Sequence, residues 1–129
     1  MARATEFRVT LEDRPGTLAD MAEALGKAGV NIDGLQGMPC AGQGVIQLVT
    51  NNSKGASQAF DSAGIKYTTR EVLLVKLEDK PGMLGRTARA MAQAGVNVDA
   101  AYVTMGQMVV LGVSDLAKAE KAASGMGAM

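Results

Sequence analysis

The chain has 129 residues, room for one ordinary domain or two very small ones. Hydrophobic residues make up 47% and aromatics 3%, which excludes a disordered chain and implies an aliphatic core with Met and Ala as fillers. Lys and Arg number 13 and Asp and Glu 13, so no general attraction to nucleic acid or to an anionic membrane follows from the charge.

There is no His and one Cys, Cys40. That excludes a disulfide within the chain, Cys/His zinc sites and any nucleophile that relies on His. Cys40 is expected to be a small, semi-buried side chain. "MARATEFRV" lacks the apolar region of a signal peptide. No apolar run reaches the roughly 18–20 residues that span a bilayer. A soluble, cytoplasmic protein with no membrane partner is expected.

In chain order, Phe7, Val9 and Leu11 alternate with Arg8, Thr10 and Glu12, the period-two pattern of a half-buried strand. The loop "LEDRPGTL" (11–18) follows. Leu18, Met21, Ala22 and Leu25 then recur at helical spacing and predict an amphipathic helix of about three turns, ended by Gly29. "VNIDGLQGMP" (30–39) and "GVIQLVT" (44–50) read as strands joined by a tight turn. "SKGASQAFDSAG" (53–64) reads as a helix opened by Ser, and "IKYTTR" (65–70) as a fourth strand. The series then restarts. Leu73, Val75 and Leu77 are a strand face, and "LEDKPGML" (77–84) is the loop. Leu84, Ala88, Met91 and Ala92 form a helix stripe ended by Gly95. "VNVDAAYVTM" (96–105) and "QMVVLGV" (107–113) are strands, and "SDLAKAEKAA" (114–123) is a helix opened by Ser or Asp.

Residues 9–33 and 75–99 are identical at 14 of 25 positions, at a constant offset of 66. Shared propensity does not produce that agreement, so the chain is an internal duplication. The expected domains are 1–70 and 71–129. Their order, βαββαβ then βαββα, predicts an α+β fold of two tandem ferredoxin-like units, each an antiparallel sheet with helices on one face. After its last helix the second unit has only "SGMGAM", so its first strand has an edge for another chain or the N-terminal segment to cover.

In both copies the acidic Pro-Gly loop joins a strand to a helix. Pro15 and Pro81 suit a helix start, where a missing N–H costs nothing. Gly16 and Gly82 let a ligand approach the backbone. The first helical N–H groups and the helix dipole favour a carboxylate, and Asp13 or Asp79 beside them holds an ammonium group. That combination cradles a free amino acid. The plainer alternative is that each Asp caps its helix and each Gly eases the turn. Asn31 and Asn97, at the starts of the second strands, are expected across from the loop, where their amides donate and accept; they are also ordinary turn residues after a Gly-capped helix.

The repeated pattern V-x-L-E-D-[RK]-P-G-x-L … A-G-V-N-[IV]-D resembles the ACT domain, the small regulatory module of aspartate kinases, phosphoglycerate dehydrogenases and acetolactate synthase regulatory subunits. The resemblance covers nearly the whole chain as two tandem copies. It implies amino-acid binding at an interface between two ACT units, the loop of one unit facing the second strand of its neighbour. The matching positions are Asp13, Pro15, Gly16, Leu18 and Asn31, and Asp79, Pro81, Gly82, Leu84 and Asn97. Phosphoglycerate dehydrogenases often have an amide at the position of Asp13 and Asp79, which argues against serine as the ligand.

The copies are unequal, with Thr17 against Met83 and Ile32 against Val98. The apolar neighbours Leu18, Ile32, Met83, Leu84 and Val98 lean toward an aromatic or branched aliphatic amino acid. On the sheet face opposite the helices, Glu6 and Arg8 correspond to Val72 and Leu74. Matching the "GQ" turns sets Gln47 against Leu111. This apolar face is expected to be buried in a homodimer or against the other repeat. No catalytic carboxylate pair, metal cluster or phosphate loop is evident, so an enzyme is disfavoured and no cofactor is expected. The RNA-recognition motif shares the βαββαβ order but stacks bases on aromatics that these central strands lack. The expected function is a non-catalytic regulator that binds an amino acid and signals through its oligomer or a metabolic enzyme. The alternative is a ligand-independent scaffold subunit.

Overall fold

A computed structural model describes residues 2–125. Its elements are β1 (Ala2–Glu12), α1 (Thr17–Lys27), β2 (Ile32–Cys40), β3 (Gln43–Thr50), α2 (Ser53–Ser62), β4 (Tyr67–Lys76), α3 (Met83–Gln93), β5 (Val98–Val103), β6 (Met108–Val113) and α4 (Leu116–Gly125). The fold is α+β, as the alternation of period-two and helical segments predicted. The chain divides into two compact units. One is Thr5–Arg70; the other runs from Glu71 onward and includes the residues before Thr5. The "SGMGAM" tail passes outside the described residues after Gly125.

In the first unit the strand order is β2-β3-β1-β4, with the first part of β4 at the edge. Phe7, Val9, Met21, Leu25, Ile46, Leu48 and Phe60 form the core between sheet and helices. Phe7, Phe60 and Tyr67 meet with ring centroids 5.4–5.6 Å apart, two of the three contacts edge-on. The helix α1 ends in a left-handed Gly29 (φ 72°), with the Val30 N–H bonded to the Leu25 carbonyl at 3.0 Å, a Schellman closure. Asn52 caps α2 by accepting from the Gly55 N–H at 2.9 Å, one residue before the expected Ser.

The second unit repeats the plan. Its core is Leu73, Val75, Met91, Val96, Val109, Leu111, Ala119 and Ala123. Thr87, at the position of Met21, is buried in α3 and satisfies its hydroxyl by donating to the Met83 carbonyl at 3.1 Å. The expected α3 stripe is therefore rotated: Met91 is buried, Leu84 is half exposed, and Ala88 and Ala92 face out. Asp115 caps α4, accepting from the Lys118 N–H at 3.1 Å. The missing edge strand is supplied by the N-terminal segment: the first residues of β1 lie beside β4, and Arg3 bonds Glu71 at 3.1 Å and Glu120 at 2.6 Å.

One expectation about the face opposite the helices changes. The register pairs Arg8 with Gln47 and Leu74 with Val110, so the counterpart of Gln47 is Val110. Leu111 instead joins the helix-side core. The matched "GQ" turns misled because the two hairpins differ in length. Val72, Val110 and Tyr102 are buried and Leu74 is half-buried within the single chain, in keeping with the expectation that this apolar face is covered. In the first unit the same face carries Glu6, 1% exposed. It accepts from Arg70 Nε at 2.8 Å and from Gln47 Nε2 at 3.3 Å, and Gln36 Nε2 donates to Gln47 Oε1 at 2.6 Å.

Candidate ligand-binding site

Each unit has a groove beside its Pro-Gly loop. The chain turns there on Gly16 at φ 95° and Gly82 at φ 90°, left-handed values that L side chains resist. Each glycine is the N-cap of the helix that follows, with no side-chain cap. Asp13 and Asp79 therefore do not cap their helices; both are exposed at the loop. The basic loop residues are engaged by the neighbouring glutamates. Arg14 Nε bonds Glu12 at 2.6 Å and Lys80 Nζ bonds Glu78 at 2.9 Å. The hydrogen bond from Lys80 holds the Glu78 carboxyl below the usual carboxylate range.

The first groove, about 270 Å³, is lined by Leu11, Asp13, Thr17 and Leu18 on one side and by Met38 and Pro39 of β2 on the other. The second, about 350 Å³, is lined by Leu77, Asp79, Met83 and Leu84 and by Val103, Gln107 and Val109 of the β5–β6 hairpin. Leu18 and Leu84, at equivalent positions, remain 49% and 50% exposed at the groove mouths.

The grooves differ in two ways. The Thr17 hydroxyl lies 2.8 Å from the Glu12 carbonyl and 3.1 Å from the Arg14 carbonyl, so it braces its own loop. Met83 cannot do this, and it lines the second groove with an apolar chain. The cross-strand pair Gly37–Ile46 in the first unit becomes Val103–Val109 in the second. A Cβ on Gly37 would meet the tip of the Ile46 side chain, Cδ1, at 2.7 Å, so Ile46 would have to change rotamer to admit one.

The structure brings together Asp13, Thr17 and Leu18, with Pro15 and Gly16 in the same loop, and likewise Asp79, Met83 and Leu84 with Pro81 and Gly82. It does not bring Asn31, Ile32, Asn97 or Val98 to the loop of their own unit. The register pairs Cys40 and Glu12 with the same residue, Gln43, while Ile32 pairs with Thr50 at the far end. The nine residues of β2 run roughly 26 Å, so Asn31 and the Asp13 loop lie at opposite ends of the sheet. The expectation that they face each other within a unit is corrected: a strand cannot have its start beside a loop that its end already meets. Asn31 is instead built into a clamp, receiving Asn51 Oδ1 on its N–H at 2.9 Å and donating its amide to Asp33 across a register shift. Asn97 is held equivalently by Ser114, at 3.0 Å.

Sequence reasoning missed Met38, Pro39, Val103 and Gln107, which complete the grooves. The only signal for them was strand direction, since the end of the second strand must return to the loop. Cys40, at that end, is exposed and not semi-buried. Among the described residues no group of acidic, Cys or His side chains is arranged to hold a metal ion, and no helix is long and apolar enough to cross a membrane.

A model of the ACT domain matches residues 5–39 and 72–104, together a little over half of the chain. No curated protein matches the sequence. Among solved structures, a protein from Bacteroides thetaiotaomicron is similar at TM-score 0.88 and 20% identity, over 97% of this chain and 89% of that one. The regulatory subunit of aspartate kinase from Thermus thermophilus, in a ligand-free form, is similar at TM-score 0.70 and 18% identity, over 98% and 92%. That from Thermus flavus is similar at 0.66 and 18%, over 97% and 90%. At these identities the likeness is one of fold.

Proposed function

Because the chain belongs to the ACT domain family, we propose that it is a non-catalytic regulator that binds a free amino acid beside its Pro-Gly loops and passes the signal to its own oligomer or to a partner enzyme. The observation that carries the reading is the recurrence, in both units, of one groove lined by an exposed carboxylate and a half-exposed leucine, beside a loop that turns on a left-handed glycine. A zwitterion fits that set: helix-start N–H groups for its carboxylate, Asp13 or Asp79 for its ammonium, and the apolar wall for its side chain. In this reading Asn31, Ile32, Asn97 and Val98 serve the loop of a second copy of the chain, so that occupancy is tied to assembly.

The second groove is the principal site in this reading. It is larger, Met83 and Val103 make its wall apolar, and no hydroxyl is tied across its loop. An aromatic or branched aliphatic amino acid suits that wall. The protein's place is in the cytoplasm, with the enzyme it regulates. A ligand-independent scaffold is the second reading, favoured by Val103 at 72% and Met105 at 87% exposed on the β5–β6 hairpin.

Thermal-shift measurements with each of the common amino acids separate the two. A ligand that binds only the native state raises the melting temperature, so one aromatic or branched aliphatic amino acid should raise it in the millimolar range. No shift with any of them leaves the scaffold.

A further inference from the structure

The helical faces of the two units carry different charges at equivalent positions. The exposed Asp20 and Glu23 of α1 stand where α3 has the exposed Arg86 and Arg89. Counted from the caps Asn52 and Asp115, Gly55 and Gln58 of α2 stand where α4 has the exposed Lys118 and Lys121. Glu120, the acid between those lysines, is held by Arg3. The face of the second unit is thus strongly basic, while α1 offers two acids. Between α1 and α2 runs an open groove of about 670 Å³, rimmed by Asp20 and Glu23 and lined by the small residues Ala24, Gly55, Ala59 and Ala63. Lys27 also lines it, in the last turn of α1. Small residues let a second helix approach closely.

We propose that this groove receives the α3 face of a second copy of the chain, with Arg86 and Arg89 meeting Asp20 and Glu23, and that a twofold dimer makes the contact twice. The duplication supplies both halves of the interface on one chain, so two copies carry the charges for the contact twice. Pairing like units would set Asp20 and Glu23 against themselves and Arg86 and Arg89 against themselves, which like-charge repulsion opposes. The inference names the faces that assemble and does not depend on which amino acid binds.

Sedimentation equilibrium of the full chain without amino acid tests it. The wild type should be a dimer whose dissociation constant rises with salt. R86E/R89E and D20R/E23R should each weaken it by at least about tenfold. An equimolar mixture of the two variants should dimerise again, because the acidic faces of one then meet the basic faces of the other; that recovery also shows that both variants are folded. A monomeric wild type, reversal variants of wild-type mass, or a mixture that stays monomeric would each overturn the proposal. A monomeric wild type whose Arg and Lys face binds RNA or an acidic protein would assign that face to a different partner. The thermal shift is read separately, so either result stands without the other.

Discussion

Glu6 and Arg70 pose a question that the second unit answers differently. Glu6 is nearly fully buried and bonded by Arg70 at 2.8 Å, whereas its counterpart Val72 is a buried apolar side chain. A buried ion pair stabilises little in net terms, but losing one partner strands the other charge. Arg70→Ala should therefore cost about 2–3 kcal/mol in urea unfolding, and Glu6→Val with Arg70→Val should cost clearly less. Equal losses would show that the carboxylate is satisfied without the guanidinium. The identity of Glu6 as a residue on the face opposite the helices was legible from alternation alone. Its burial was not, because burial depends on partners that come from β3 and β4, 41 and 64 residues away.

At the scale of elements, β1 and β4 do the most. β4 runs unbroken from the end of one unit into the start of the next, as "IKYTTR" leading into Leu73 foretold. β1 begins at Ala2, so its first residues complete the second unit. Arg3 fastens them there, and its hydrogen bond to Glu120 holds that carboxyl below the usual carboxylate range. A group whose folded pKa is lowered contributes stability that is present above its unfolded pKa and lost as pH falls through the folded value. The N-terminal attachment should thus hold at neutral pH and weaken in acid, below the ordinary glutamate range. An NMR titration of the Glu120 carboxyl should give a lowered pKa in the wild type and an ordinary one in Arg3→Ala; no difference would mean that Arg3 does not hold the strand. Strands and helices were legible because each keeps one period. The course of α3 was less so, since a buried Thr87 and exposed Ala88 and Ala92 run against the apolar pattern that spacing relies on.

For the whole molecule, duplication explains more than composition does. A net charge of zero conceals two helical faces of different sign, and a shared motif conceals two cores of different size. Phe60 of the first unit corresponds to Ala123 of the second when both helices are counted from their caps. The loops of the candidate site were legible because Pro, Gly and Asp recur at a fixed offset. The walls were not, because Met38 and Val103 belong to strand ends placed by pairing register. Asn31 was expected across from its own loop because residue spacing does not show strand direction, whereas the register puts the start of β2 at the far end of the sheet from that loop.

The claim that the second loop is the principal amino-acid site is tested most directly by isothermal titration with the amino acid that raises the melting temperature most, using the wild type, Gly82→Val and Gly16→Val. Both substitutions impose the same left-handed strain, about 1–2 kcal/mol, so each controls for the other's effect on folding. The account predicts that Gly82→Val abolishes the binding heat while Gly16→Val retains most of it. Undiminished binding in Gly82→Val would contradict it.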